Sequence, residues 1–246
     1  MYKKKNILKK INSIKIIIIS LYYTILACCQ SIIRKKLNII NRNYTDKIIQ
    51  LWSKRLIKTA KIRYKIFNPK NIKPKLNEPT ILMSNHRSLY DIPIIFRIFP
   101  TYSIRMLTKK ELIKIPFFGK GILLSEFPVI DRKNKYQAIK DLEYMNNLIK
   151  KGIIIWASPE GTRSKNKKLM PFKKGVFISA IKTKSTIIPI GLKGTDNILP
   201  KKTTQININQ EVEIHIGEPI YSNIYNLKNK EKLILKTFKS IEKLIN

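Results

Sequence analysis

From Ile16 to Ile33 the chain runs for 18 residues without a charged side chain, bracketed by Lys3, Lys4, Lys5, Lys9, Lys10 and Lys15 before it and by Arg34, Lys35 and Lys36 after it. Wound as an α-helix it would measure roughly 27 Å, just under the ~30 Å hydrocarbon core of a bilayer. Ser20, Thr24 and Gln30 dilute its apolar character, and positive charge on both flanks casts no vote on orientation. No small-residue cleavage pattern follows it, as a secretory signal peptide would require, and an isoleucine-rich block does not suit a transit peptide. The expectation is a retained membrane helix or a deep interfacial anchor; a buried core helix is the alternative.

Behind this run, Ile48, Ile49, Trp52, Leu56 and Ile57 recur at helical spacing, with Lys47, Lys54, Arg55, Lys58 and Lys61 between them. Such a helix suits either the headgroup layer, with Trp52 at the interface, or packing on the rest of the protein. The Pro69 to Pro79 stretch reads as the connection that follows, so the expected organisation is a membrane-associated helical region over 1–66 and one further domain over 67–246. A chain of 246 residues that is 43% hydrophobic can bury a sizeable core. Strands interleaved with helical stretches predict an α/β fold.

Two short apolar runs in the second region end in polar motifs. Thr80 to Ser84 reads as a buried strand and leads into Asn85-His86-Arg87-Ser88-Leu89-Tyr90-Asp91. On one continuous helix His86 and Asp91 would point roughly 140° apart, so they meet only if His86 lies in the turn before the helix. Pro93 supports that, since proline is tolerated in a first turn and not in a helix interior. A histidine held by a carboxylate is a general base with its orienter, able to take the proton of an attacking alcohol. A capping box formed by Ser88 and Asp91 is the structural alternative. No glycine-flanked nucleophile elbow surrounds Ser88, which argues against a covalent acyl-enzyme.

The second run, Ile153 to Ala157, leads into Pro159-Glu160-Gly161-Thr162-Arg163-Ser164. Gly161 permits close backbone approach, Thr162 brings a hydroxyl, and Arg163 a planar fork matched to phosphate oxygens. Glu160 cannot bind phosphate itself; it is expected to orient Arg163 or to accept a substrate hydroxyl. A glycine turn with a surface Glu/Arg pair is the bland alternative.

In this order the chain resembles the glycerolipid acyltransferase family marked by a His-four-residues-Asp motif, and within it the 1-acyl-sn-glycerol-3-phosphate acyltransferases. After Asn85 to Asp91 come Lys109-Lys110-Glu111-Leu112 with Ile115-Pro116-Phe117-Phe118-Gly119, then Val129-Ile130-Asp131-Arg132. Pro159 to Ser164 follow, with Pro171-Phe172-Lys173-Lys174-Gly175 and Ile187-Ile188-Pro189-Ile190-Gly191 behind them. The resemblance covers about Thr80 to Gly194. It departs where Ala157-Ser158 stand in place of a bulkier residue, which bears on pocket shape rather than chemistry.

The resemblance implies a mixed sheet flanked by helices, and transfer of a fatty acyl group from a thioester to the sn-2 hydroxyl of lysophosphatidic acid. It gives His86 the base role with Asp91 in support. It places Glu160, Gly161, Thr162 and Arg163 on the acceptor-binding motif, and Arg132 and Lys109 on the phosphate pocket. No metal or organic cofactor is expected; acyl carrier protein or coenzyme A thioester is a co-substrate. The alternatives are another lysophospholipid or glycerol 3-phosphate as acceptor. The expected partners are membrane lipids, at the inner face of the cytoplasmic membrane with the active site on the cytoplasmic side.

The net charge of +35 and pI near 10.2 would also suit nucleic acid. The basic residues are spread along the chain, however, and no recognition module appears, so nucleic acid is not expected and a basic membrane-surface or RNA-binding protein is the non-enzymatic alternative. Lysine, isoleucine and asparagine are all abundant, a sign of AT-rich coding, so the charge alone names no partner. The densest basic run beside a motif is Lys165 to Lys174, suited to lipid headgroups or an acidic acyl carrier. His215, alternating with Glu211 and Glu213, reads as a surface residue, and adjacent Cys28 and Cys29 make no disulfide framework.

Overall fold

This computed structural model describes residues 2–164 and 168–246, with side chains described from residue 7 onward. Lys165 to Lys167 of the basic run therefore lie outside the described residues. The chain opens with a long helix, α1 (Tyr2–Lys36), and a second, α2 (Arg42–Thr59), before the first strand, β1 (Arg63–Phe67). There follow β2 (Thr80–Ser84), α3 (Asp91–Phe96), β3 (Ile104–Met106), β4 (Thr108–Lys109), α4 (Phe118–Leu124), β5 (Val129–Ile130), α5 (Lys135–Lys150) and β6 (Ile154–Ala157). The last third supplies α6 (Gly175–Thr183), β7 (Thr186–Lys193), α7 (Thr195–Ile198), β8 (Glu211–Ile216), β9 (Ile220–Tyr221) and α8 (Lys230–Ile245).

The main sheet runs β1-β8-β7-β2-β6-β3, with β9 also on β7, and is mixed: β7 pairs antiparallel with β8 and β9, the other pairs are parallel. The apolar runs of β2 and β6 are buried on both faces, as central parallel strands require. Side chains alternate between two cores. Leu82, Trp156, Ile188 and Ile190 face the layer containing α1, α2 and α3, whereas Ile81, Ile155 and Ile187 face α5, α6 and α8. The expected boundary between residues 66 and 67 falls within β1, so the sheet begins at Arg63, ahead of the proline-rich connection.

The amphipathic second helix packs on the protein: Ile48, Ile49, Leu56 and Ile57 are buried, and the indole N–H of Trp52 donates to Thr24 Oγ1 at 3.0 Å. The first helix is built the other way round. Ser13, Ile16, Cys28 and Ser31 turn inward, while Ile14, Ile17, Ile18, Leu21, Tyr22 and Ile25 are exposed. Apart from Ile16, small and polar residues thus make its buried protein face, and large apolar ones its outer face. Contacts along its length hold it, among them Ile206 N–H to Ser13 Oγ at 2.9 Å, Trp52 to Thr24, and Ser31 Oγ to Ser125 Oγ at 3.3 Å.

A buried ion network locks the helices to the sheet. Arg105 on β3, 0% exposed, donates to Asp46 of α2 at 2.6 Å and to the Ser125 carbonyl at 2.5 Å. Glu126 alongside accepts two bonds from Arg42 at 2.9 and 3.0 Å. Removing Asp46 would strand the buried Arg105 guanidinium, a penalty of about 3–5 kcal/mol.

Candidate active site

The site collects at the carboxyl ends of the parallel strands, where an open α/β sheet leaves a crevice. Strand register explains the meeting. Met83 pairs with Ala157, and three residues beyond each lie His86 and Glu160. On the far side of β6, Met106 pairs with Trp156, and three residues beyond Met106 lies Lys109. Lys109 in turn pairs with Ile130 across β4 and β5, which puts Arg132 two residues past that pair. Four residues from four segments are therefore delivered to one end of the sheet by backbone pairing.

His86 sits in the turn ahead of α3, which starts at Asp91, so the expected geometry holds and Pro93 occupies the first turn. The helix ends at Phe96. His86 Nδ1 lies 2.7 Å from Asp91 Oδ2, and the same oxygen accepts the backbone N–H groups of Arg87 and Ser88 at 2.8 and 2.9 Å. One carboxylate oxygen thus serves both the histidine ring and the backbone of the turn, which gives half of a capping box: the Ser88 hydroxyl donates to the Leu199 carbonyl instead of closing the other half. An oxygen that accepts two backbone N–H groups accepts from the ring too, so Nδ1 carries the hydrogen and Nε2 keeps its lone pair. Asp91 is 0% exposed and the His86 side chain 18%, which leaves the ring edge reachable from outside.

Two neighbours fix the turn. The Asn85 side-chain amide exchanges a pair of 2.8 Å bonds with the backbone of Leu192 on β7, and the ring of Trp156 meets the His86 ring edge-on at 6.0 Å. Asn85 stands in the first motif, yet its tie to β7 depends on a strand more than a hundred residues away.

Glu160 makes no ion pair with Arg163: Oε1 accepts the His86 backbone N–H at 2.9 Å, Oε2 accepts the Met170 N–H at 3.0 Å, and the residue is 2% exposed. Burial pushes its carboxyl above the usual carboxylate range, and those two backbone bonds pull it back. Glu160 is a staple between the two motifs, assisted by the Ser164 N–H donating to the His86 carbonyl at 2.8 Å.

The cations converge beside it. Gly161 has φ +74°, a conformation that a side chain rarely adopts, and its carbonyl accepts from the Arg132 guanidinium. The Arg163 carbonyl accepts from Lys201 Nζ. Burial and then the charge of Arg132 push the Lys109 amine below its usual range, with Arg163 and Lys201 adding to the effect and Glu111 opposing it. Arg163 has no carboxylate partner among the described residues. Cations that repel one another with too few carboxylates between them make a site that an anion would relieve. Thr162 is exposed at its edge. Lys201 was not singled out in the sequence; it follows Pro200 in a loop after α7, and only the fold brings it here. His215 lies elsewhere, on β8, bonded to Glu213 at 2.9 Å and stacked on Phe67.

An apolar cavity of about 430 Å³ opens beside the turn, walled by Leu89, Tyr90 and Pro93 next to the histidine, by Thr24 and Cys28 of α1, and by Phe118 and Ile122 of α4. It is within the size range of ligand pockets.

The sequence model of the acyltransferase family matches residues 63–193, just over half of the chain. A chloroplastic 1-acyl-sn-glycerol-3-phosphate acyltransferase of Brassica napus is 33% identical over 150 residues, 61% of this chain and 43% of the plant protein. The 1-acyl-sn-glycerol-3-phosphate acyltransferase of Escherichia coli is 38% identical over 133 residues, 53% of this chain and 50% of the relative. The chain thus spans half or less of the length of these relatives. The crystal structure of the 1-acyl-sn-glycerophosphate acyltransferase from Thermotoga maritima superimposes with a TM-score of 0.75 at 25% identity, covering 99% of this chain and 98% of that one.

Proposed function

This chain belongs to the acyltransferase family, and we propose that it transfers a fatty acyl group from a thioester to the sn-2 hydroxyl of lysophosphatidic acid, giving phosphatidic acid for phospholipid biosynthesis. The observation that carries the reading is the His86–Asp91 pair at 2.7 Å, set at the rim of four converging cations. His86 Nε2 takes the proton of the acceptor hydroxyl as its oxygen attacks the thioester carbonyl carbon. Asp91 steadies the imidazolium that forms. Collapse of the tetrahedral intermediate breaks the C–S bond, and the imidazolium returns its proton to the departing thiolate. The scheme needs no resident cofactor; acyl carrier protein or coenzyme A arrives as the thioester.

Lys109, Arg132, Arg163 and Lys201 would hold the acceptor's phosphate, and the apolar cavity beside His86 would take an acyl chain. The names of the plant, bacterial and Thermotoga relatives support that acceptor class. The outer face of α1 supports membrane association. It is a helix long and apolar enough to cross a bilayer, but it is tied to the catalytic layer from Ser13 to Ser31, roughly 27 Å. A helix so fastened sits in the bilayer together with part of its domain rather than as a free tether, on the cytoplasmic side where thioester donors are supplied.

The phosphate site gives the test. Arg163→Ala is expected to raise the KM for lysophosphatidic acid by about tenfold or more, since a charge-assisted contact to phosphate outweighs a neutral hydrogen bond. Arg163→Lys should recover only part, keeping the charge but not the fork. On a monoacylglycerol, which lacks the phosphate, the wild type should already be poor and Arg163→Ala should cost little more. Equal losses on both acceptors would make Arg163 structural and shift the phosphate site to Arg132 and Lys109.

A further inference from the structure

We propose that residues 110–124, the turn and short helix α4 following β4, form a second membrane-immersed element, with Ile115, Phe117 and Leu123 set into the lipid beside α1. The inference rests on the membrane reading of α1 given above and adds to it a part of the catalytic domain. Its starting point is a close approach. A Cβ added at Gly121 of α4 would stand 2.6 Å from both Cβ and Sγ of Cys28, so the two helices are flush where glycine alone fits. Cys28 lies inside the charge-free stretch Ile16 to Ile33. Whatever depth that stretch takes, α4 takes nearly the same depth, because a helix with its side chains is only about 10–12 Å across.

The surroundings of the contact suit lipid rather than water. Ile115 is 47% exposed, Phe117 62% and Leu123 54%, three large apolar side chains within nine residues. Phe117 has φ +60°, so a bulky aromatic occupies a turn conformation that glycine would ordinarily fill. Lys114 and Lys120, both exposed, stand among these apolar groups, the mixture that an interfacial element presents to anionic headgroups. The inner side of the same segment, Leu112, Phe118 and Ile122, lines the apolar cavity. The segment is therefore the partition between bilayer and cavity, and an acyl chain drawn from the membrane would pass along it.

Depth measurement on the full chain in vesicles of phosphatidylglycerol and phosphatidylethanolamine tests this. Nitroxide labels would be placed one at a time through Phe117→Cys, Leu21→Cys and Lys133→Cys, in a background carrying Cys28→Ala and Cys29→Ala. The label at 117 is expected to collide with oxygen in preference to a water-soluble nickel chelate, as the label at 21 on α1 does, while 133 stays aqueous. A label at 117 as open to nickel as the one at 133, or shielded only when a second copy binds, would overturn the proposal while leaving α1 immersed. An aqueous label at 21 would overturn it together with the membrane reading of α1. In parallel, Phe117→Ser combined with Leu123→Ser is expected to lower vesicle partitioning by about tenfold. Turnover of a short-chain, water-soluble acceptor should stay unchanged, because neither side chain lines the cavity. Unchanged partitioning, or an equal loss on the soluble acceptor, would count against immersion.

Discussion

His86→Ala is expected to lower turnover by about 10²-fold or more while the protein stays folded and membrane-bound. The ring is partly exposed and its main contact is the 2.7 Å bond to Asp91, so its removal leaves no large apolar void. Asp91→Asn should slow the reaction on the order of 10²-fold or more by a different route. The amide would offer a hydrogen where Nδ1 needs an acceptor, turning the imidazole to the wrong tautomer. Steady-state rates with lysophosphatidic acid and a saturating thioester, alongside circular dichroism, check both. A folded His86→Ala protein with near-normal turnover would remove the base from the account.

Glu160→Ala should be as damaging, for a structural reason. It leaves the partly buried backbone N–H groups of His86 and Met170 without their acceptor, at no more than about 1–3 kcal/mol each. The stability loss should therefore be up to roughly 2–6 kcal/mol by urea titration, with activity lost because the histidine turn is unmoored. Glu160→Gln keeps one carbonyl oxygen and should recover part of both. Wild-type stability with a defect confined to acceptor KM would instead restore Glu160 as a substrate ligand.

How far the sequence foretold this site depended on distance along the chain. His86 and Asp91 are five residues apart, and the placement of Pro93 was enough to show that they could meet. Glu160 was misread because, within its own motif, the obvious partner for a glutamate is the arginine three residues on. Only the parallel register of β2 with β6 brings the His86 amide to it. Lys201 escaped notice for a similar reason, as one lysine among many until the loop after α7 folds over Arg163. The network of Arg42, Asp46, Arg105 and Glu126 joins segments that carry no common motif. For α1 the composition was legible and the covering was not. Charge-free residues announce a helix that avoids water, but the inward turn of Ser13, Cys28 and Ser31 becomes visible only against the packed domain. The α/β class was legible in buried strands such as Thr80 to Ser84, which read as apolar runs between helical stretches, whereas the mixed, helix-flanked sheet was implied by the family resemblance alone.

Direct acyl transfer from thioester to a phosphate-bearing lysolipid can be followed by thiol release from the purified, vesicle-bound protein with and without acceptor. With lysophosphatidic acid present, thiol and phosphatidic acid should appear in equal amounts; with acceptor withheld, thiol release should fall to background with no burst equal to the enzyme concentration. A stoichiometric burst without acceptor would establish a covalent acyl-enzyme, and thiol release unaccompanied by phosphatidic acid would make the protein a thioesterase; either result contradicts the account.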